Sequence, residues 1–219
     1  MRINLPNQIT IGRLLLTAIL LVLLAQLDHD PRGSDVWIAQ ICFWLYLIAA
    51  STDVVDGYLA RRQKQVTSFG RIFDPFADKI LICGAFCMLT GASFYDPDAQ
   101  RYVTDVRPWM VVLIIGRELL VTSLRGFSEG QGAQFSATIY GKVKMLTQSI
   151  AVGVVLAGLA GIDEWVSVTL HRWLQPISVW AAVIITALSI VGYVHQARSF
   201  LTQTSAPTDQ SQPPSAPGD

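Results

Sequence analysis

The sequence predicts an all-α polytopic membrane protein, a six-transmembrane-helix bundle with an active site at the cytoplasmic face. Three observations predict it. Apolar residues make up 52% of the 219 positions and charged residues only 15%, against about a quarter charged in an ordinary soluble domain. Several apolar runs approach the ~20 residues that cross a bilayer. Basic residues are divided unevenly between the two sets of connections that such crossings create.

Taken in order, helices are expected near 9–27, 36–60, 72–95, 107–128, 141–161 and 174–196. Asp28-His29-Asp30-Pro31-Arg32-Gly33 separates the first two, and Asp96-Pro97-Asp98 ends the third, because proline and short acidic residues favour turns. The polar link Gly130–Ser136 precedes the fifth. Residues 163–173 are expected as a short interfacial helix, with Trp165 and Trp173 at headgroup depth. These spans occupy most of the chain, so one membrane domain is expected over 1–202. The tail 203–219, rich in Ser, Thr, Pro and Gln, is expected to be disordered.

With the amino terminus in the cytoplasm, the inner side holds Arg2, Arg13, Arg61, Arg62, Lys64, Arg71, Lys79, Arg117, Arg125, Lys142, Lys144 and Arg198, twelve in all. The outer side holds four: Arg32, Arg101, Arg107 and Arg172. This bias puts both termini in the cytoplasm of a cell whose cytoplasmic (inner) membrane holds the protein. A cleaved leader is the competing reading of the amino terminus, but the polar segment Asn4–Arg13 does not suit one. No nucleic-acid partner is expected. Cys42, Cys83 and Cys87 lie in apolar runs and read as small apolar residues, without a disulfide framework.

The chemistry concentrates where the second and third helices meet. Asp53 and Asp56 are spaced i, i+3, and Asp74 and Asp78 i, i+4, so each pair shares one helix face. Acids at membrane depth are costly and mark function by default. Four carboxylates together need cations, and a hard divalent ion such as Mg²⁺ is the natural partner. The short link carries Arg61, Arg62, Lys64 and Arg71, and carboxylate-held metal ringed by such groups suits a polyphosphate. Small Gly57 and Ala60 allow close approach of a ligand or, equally, of another helix.

The pattern D-x2-D-G-x2-A-R-x8-G-x3-D-x3-D, satisfied at Asp53, Asp56, Gly57, Ala60, Arg61, Gly70, Asp74 and Asp78, resembles the signature of the CDP-alcohol phosphatidyltransferase family. Pro6-Asn7, Thr10 and Arg13 are similar to the opening segment of many members. The resemblance implies that Asp53, Asp56, Asp74 and Asp78 bind two divalent cations, Mg²⁺ or Mn²⁺. It implies that Asp78 is the general base, and that Gly57, Ala60, Arg61, Gly70, Asn7 and Thr10 lie on the CDP-lipid side. It also implies a homodimer.

Arg117-Glu118, Arg125 and Gly141-Lys142-Val-Lys144 look like members of that family that use sn-glycerol 3-phosphate. The expected acceptor-phosphate residues are therefore Arg117, Arg125, Lys142 and Lys144, with snorkelling charge the plainer reading of Lys144. The expected reaction joins CDP-diacylglycerol to glycerol 3-phosphate and releases CMP. Phosphatidylglycerol or inositol phosphate as acceptor keeps the same aspartate chemistry. A cation transporter is the reading from a different class, but its acids belong nearer the bilayer midplane. Gly153, Ala157 and Gly161 form a small-residue stripe for packing within one chain or between two.

Overall fold

A computed structural model describes residues 5–27, 35–63, 68–130, 139–162 and 167–204; the side chains of 5–6, 53–72, 74, 128–129, 139–140, 142 and 194–204 lie outside that description. Among the described residues the chain forms six α-helices: α1 (Leu5–Leu24), α2 (Val36–Gln63), α3 (Ser68–Met88), α4 (Pro108–Gly130), α5 (Ile139–Leu159) and α6 (Val168–Thr204). The all-α class is as expected.

Local chemistry sets the ends. The Asp35 carbonyl accepts from the Ile38 and Ala39 amides at the start of α2. Pro108 opens α4, where a missing N–H costs nothing. Beyond α5, Gly161 at φ +69° lets the Ile162 amide reach back to the Ala157 carbonyl at 3.0 Å, a glycine-terminated stop.

Several boundaries differ from expectation. The third helix does not run to 95: the Thr90 and Gly91 amides close tight turns on Cys87 and Met88, and Thr90 Oγ1 donates to the Cys87 carbonyl. A 3-10 turn (Ala92–Phe94) follows, then a two-residue antiparallel pair, β1 (Tyr95–Asp96) with β2 (Arg101–Tyr102). The apolar character of 89–95 belongs instead to this cap, whose Phe94 is buried. Of the interfacial helix expected over 163–173, residues 163–166, with Trp165, lie outside the described residues, and 168–173 form no separate element. Residues 168–173 are the first turns of α6, which starts behind Ser167 and continues through Pro176. The last helix also extends past 196 to Thr204, and residues 205–219 lie outside the described residues.

Cross-helix pairs fix the directions. Arg13 pairs with Asp78 and Leu21 lies against Gly84, so α1 and α3 run the same way. Tyr46 bonds Ser149 and Gln40 bonds the Ala160 carbonyl, so α2 and α5 are antiparallel. Arg117 bonds Ser189 and Trp109 packs on Trp180, so α4 and α6 are parallel, while Gln148–Thr186 sets α5 against α6. Helices α1, α3 and α5 thus share one direction and α2, α4 and α6 the other.

Each helix has an inward stripe. On α1 it reads Thr10, Arg13, Thr17, Leu20, Leu24, the alternating three- and four-residue spacing of one helical face. On α4 it includes Met110, Ile114, Arg117 and Val121, and on α5 Lys144, Gln148, Ala151, Val155 and Leu159. Outward positions carry large apolar groups such as Leu15, Trp44, Val112, Leu146 and Leu188. That much exposed apolar surface is foreign to a soluble protein and suited to lipid. Two helices, over Asn7–Leu24 and Val168–Tyr193, are long and apolar enough to cross a membrane; Val36–Thr52 and Val143–Leu159 are shorter apolar stretches.

The small-residue stripe of α5 packs within the chain: a Cβ at Gly153 would touch Tyr46, and one at Gly161 would touch Val36, both of them α2 residues. All three cysteines are free, and only Cys42 is buried.

Candidate active site

The inward stripes are polar at one end of the bundle and apolar at the other. At the polar end, Arg13 Nη1 donates to Asp78 Oδ1 at 2.8 Å. Arg13 is only 2% exposed, and Thr17 Oγ1 donates to its carbonyl. Lys79, beside Asp78, donates to Thr122 of α4.

A second cluster joins α4, α5 and α6. Glu118 Oε1 accepts from Arg117 Nη1 at 3.0 Å and from Lys144 Nζ. Arg117 Nε donates to Ser189 Oγ at 2.8 Å, and the guanidinium carbon lies 5.0 Å from the centre of the Tyr193 ring, within cation–π range. Arg117 is 4% exposed, yet its Nη2 has no hydrogen-bond partner among the described residues. A buried guanidinium nitrogen without an acceptor is costly and chemically suited to an anionic oxygen. One carboxylate against two cations leaves this cluster with an excess of positive charge.

The expected residues divide as follows. The side chains of Asp53, Asp56, Gly57, Ala60, Arg61, Gly70, Asp74 and Lys142 lie outside the described residues. Asp78 is half-buried, Thr10 is buried and Asn7 is half-buried on α1. Arg117 and Lys144 are brought together through Glu118. Arg125, two turns further along α4, is exposed. Among the described residues no three metal-ligating side chains gather. The motif's own donors, four carboxylates without a thiol or imidazole, have the hard-oxygen chemistry that fits Mg²⁺ or Mn²⁺.

The sequence placed Arg13 among the inner cations and in the opening segment shared with family members, without a site role, and set no role for Glu118, Ser189 or Tyr193. The signal for Arg13 was its place on the stripe of Thr10, Thr17 and Leu20. For Glu118 it was an acid inside an apolar run, next to an arginine.

The chain matches the family described as CDP-alcohol phosphatidyltransferase over residues 3–193 and belongs to it. It is a CDP-alcohol phosphatidyltransferase, a transferase of phospholipid biosynthesis from a membrane-protein family that is generally metal-dependent. It is similar to the CDP-diacylglycerol–glycerol-3-phosphate 3-phosphatidyltransferase of Bacillus subtilis, with 38% identity over 159 residues, 70% of this chain and 76% of that one. The proteins of the same name from Cereibacter sphaeroides and Rickettsia bellii are also similar. The first is 32% identical over 71% of this chain and 64% of its own length, the second 28% identical over 90% and 97%.

Proposed function

We propose that the protein transfers the phosphatidyl group of CDP-diacylglycerol to sn-glycerol 3-phosphate, giving phosphatidylglycerophosphate and CMP. The observation that carries the choice of acceptor is the buried Arg117, held on three sides and with Nη2 unmatched among the described residues. A phosphate monoester supplies the missing acceptor. The names of the three relatives support the same substrate.

Asp53, Asp56, Asp74 and Asp78 would hold two divalent cations, Mg²⁺ or Mn²⁺. Such ions, when bound, neutralise pyrophosphate charge and stabilise the departing CMP. The protein's own groups do the rest. Asp78 takes the proton from the acceptor hydroxyl. That oxygen then bonds the lipid-side phosphorus, and the bond to the CMP oxygen breaks, its electron pair leaving with CMP. Arg117, with Arg125, Lys142 and Lys144, holds the acceptor phosphate so that the hydroxyl is presented in line. Asn7, Thr10, Gly57, Ala60, Arg61 and Gly70 line the CDP-lipid side. Lys144 is already paired with Glu118, so Arg117 carries most of the acceptor contact.

The same reading has six membrane crossings, both termini in the cytoplasm of a cell whose inner membrane holds the protein, and a site opening to cytosol and lipid. The twelve-to-four division of basic residues supports it. A homodimer belongs to the reading too, although the α5 small-residue stripe, occupied within the chain, does not contribute to it.

The test is CMP release by the purified protein in detergent, with CDP-diacylglycerol, Mg²⁺ or Mn²⁺, and a panel of acceptors. Release with glycerol 3-phosphate alone, lost with EDTA, is expected. Release with phosphatidylglycerol or inositol phosphate instead would overturn the acceptor. No release from a folded preparation would overturn the reaction.

A further inference from the structure

We infer that Arg13 is a positioning residue for the transfer: it fixes the carboxylate of Asp78 in the orientation from which the acceptor hydroxyl is deprotonated. The inference rests on the reading of Asp78 as the general base.

Three observations converge. The ion pair is short, Nη1 to Oδ1 at 2.8 Å. Its members sit on different helices, so the contact is a tertiary one, set by how α1 and α3 pack. The arginine is 2% exposed, whereas the Asp78 side chain is 25% exposed. The cation is therefore the sequestered partner, and the carboxylate is the more exposed of the two. A surface salt bridge shows the opposite economy, with two mobile side chains in water.

The surroundings make Arg13 a fixed point. Thr10 and Thr17 are buried beside it on the same stripe of α1. Eight positions along, Leu21 lies so close to Gly84 of α3 that a Cβ there would come to 2.9 Å. The Leu21 side chain thus packs directly on α3, about two turns along α1 from the ion pair, and restrains how the two helices slide. A guanidinium is a planar, pre-organised fork, so a carboxylate paired with it loses rotational freedom that a lysine partner would leave. In this step the acceptor hydroxyl gives its proton to Asp78, its oxygen bonds phosphorus, and CMP departs with the electron pair of the broken bond. Arg13 is assigned no contact with the reacting atoms, and its part in the step is exerted through the Asp78 carboxylate it bonds.

The experiment measures steady-state CMP release by the full chain for Arg13→Gln, Arg13→Lys, Asp78→Asn and the Arg13→Gln/Asp78→Asn double variant, varying each substrate in turn. Arg13→Gln is expected to lower kcat about a hundredfold, the scale of a misplaced catalytic group, with both KM values changed less than about threefold. Arg13→Lys is expected between wild type and Arg13→Gln. In the Asp78→Asn background, Arg13→Gln is expected to cost less than about twofold, because no carboxylate base is left to orient.

A loss carried by KM would overturn the positioning role, and so would an equal further loss in the double variant. Wild-type kcat in Arg13→Gln beside an inactive Asp78→Asn would overturn the role of Arg13 alone, while an active Asp78→Asn would overturn the base itself. Should Arg13→Gln fail to fold, Arg13→Lys decides. A kcat loss at constant KM supports the role, and wild-type kinetics or a KM effect overturns it.

Discussion

Arg117 of α4 donates through Nε to Ser189 Oγ of α6 at 2.8 Å, across 72 positions of sequence. The bond locks the plane of the guanidinium, and with Nη1 on Glu118 it leaves Nη2 as the nitrogen without a partner among the described residues. Ser189→Ala removes an acceptor from a charged donor, worth about 1.5 kcal/mol. The KM for glycerol 3-phosphate is expected to rise roughly tenfold, with that for CDP-diacylglycerol unchanged. Equal changes in both constants would remove Arg117 from the acceptor side.

Glu118 holds two cations on one oxygen. Glu118→Gln leaves Arg117 and Lys144 facing each other with no anion between them. Deleting one member of a buried charge group costs about 3 kcal/mol, which corresponds to roughly 10 °C in the thermal midpoint of a chain this size. Melting in detergent, followed by the fluorescence of the six tryptophans, checks it; an unchanged midpoint would mean that the cluster adds nothing to stability.

Asp78→Asn keeps the shape of the side chain and removes its basicity. Turnover is expected to fall at least about a hundredfold while affinity for the CDP-lipid, measured by equilibrium binding, is retained. Parallel loss of binding and turnover would make Asp78 a binding residue rather than the base.

Gly84 sets the distance between α1 and α3. Gly84→Leu is expected to force Leu21 aside, separate the helices and lower kcat about tenfold through the Arg13–Asp78 pair, a displacement effect. Leu21→Ala in the same protein should restore much of the rate, because it frees the volume the new side chain needs. Full activity of Gly84→Leu alone would show that the seam does not control the pair.

At the opposite end, a Cβ on Gly158 would come to 2.3 Å from His171 Nε2 and 3.0 Å from Gln175 Oε1. Gln175 in turn bonds the Val103 carbonyl and Asp105. Gly158→Ala is therefore expected to lower the melting midpoint by several degrees, an overpacking cost of about 1–3 kcal/mol, while both KM values stay put. A selective change in one KM would tie this end of the bundle to substrate binding.

What the sequence made legible follows the physics of single helices. Apolar runs located all six, while three of the four motif aspartates, Asp53, Asp56 and Asp74, have side chains outside the described residues. Pairings between helices were not legible in that way. Arg13 and Asp78 meet only because α1 and α3 pack in parallel, and a count of charges by side treats Arg13 as one more inner cation. The ends of α3 and α6 were misread for a local reason. The Thr90-Gly91 stop is masked by the apolar residues that follow it, and Trp173 suggests an interfacial placement although 168–173 are the first turns of α6.

The hydroxyls of α6 also have a fixed polarity. Ser189 Oγ donates to the Thr186 carbonyl at 2.7 Å and Thr186 Oγ1 to the Ala182 carbonyl at 2.6 Å. Their protons are turned back into their own helix, and only lone pairs face Arg117 and the Gln148 amide. At these two positions α6 acts as a wall of acceptors. Such a wall offers its lone pairs to N–H groups and no proton to an acceptor, so it discriminates by the direction of its hydrogen bonds, without a charge of its own.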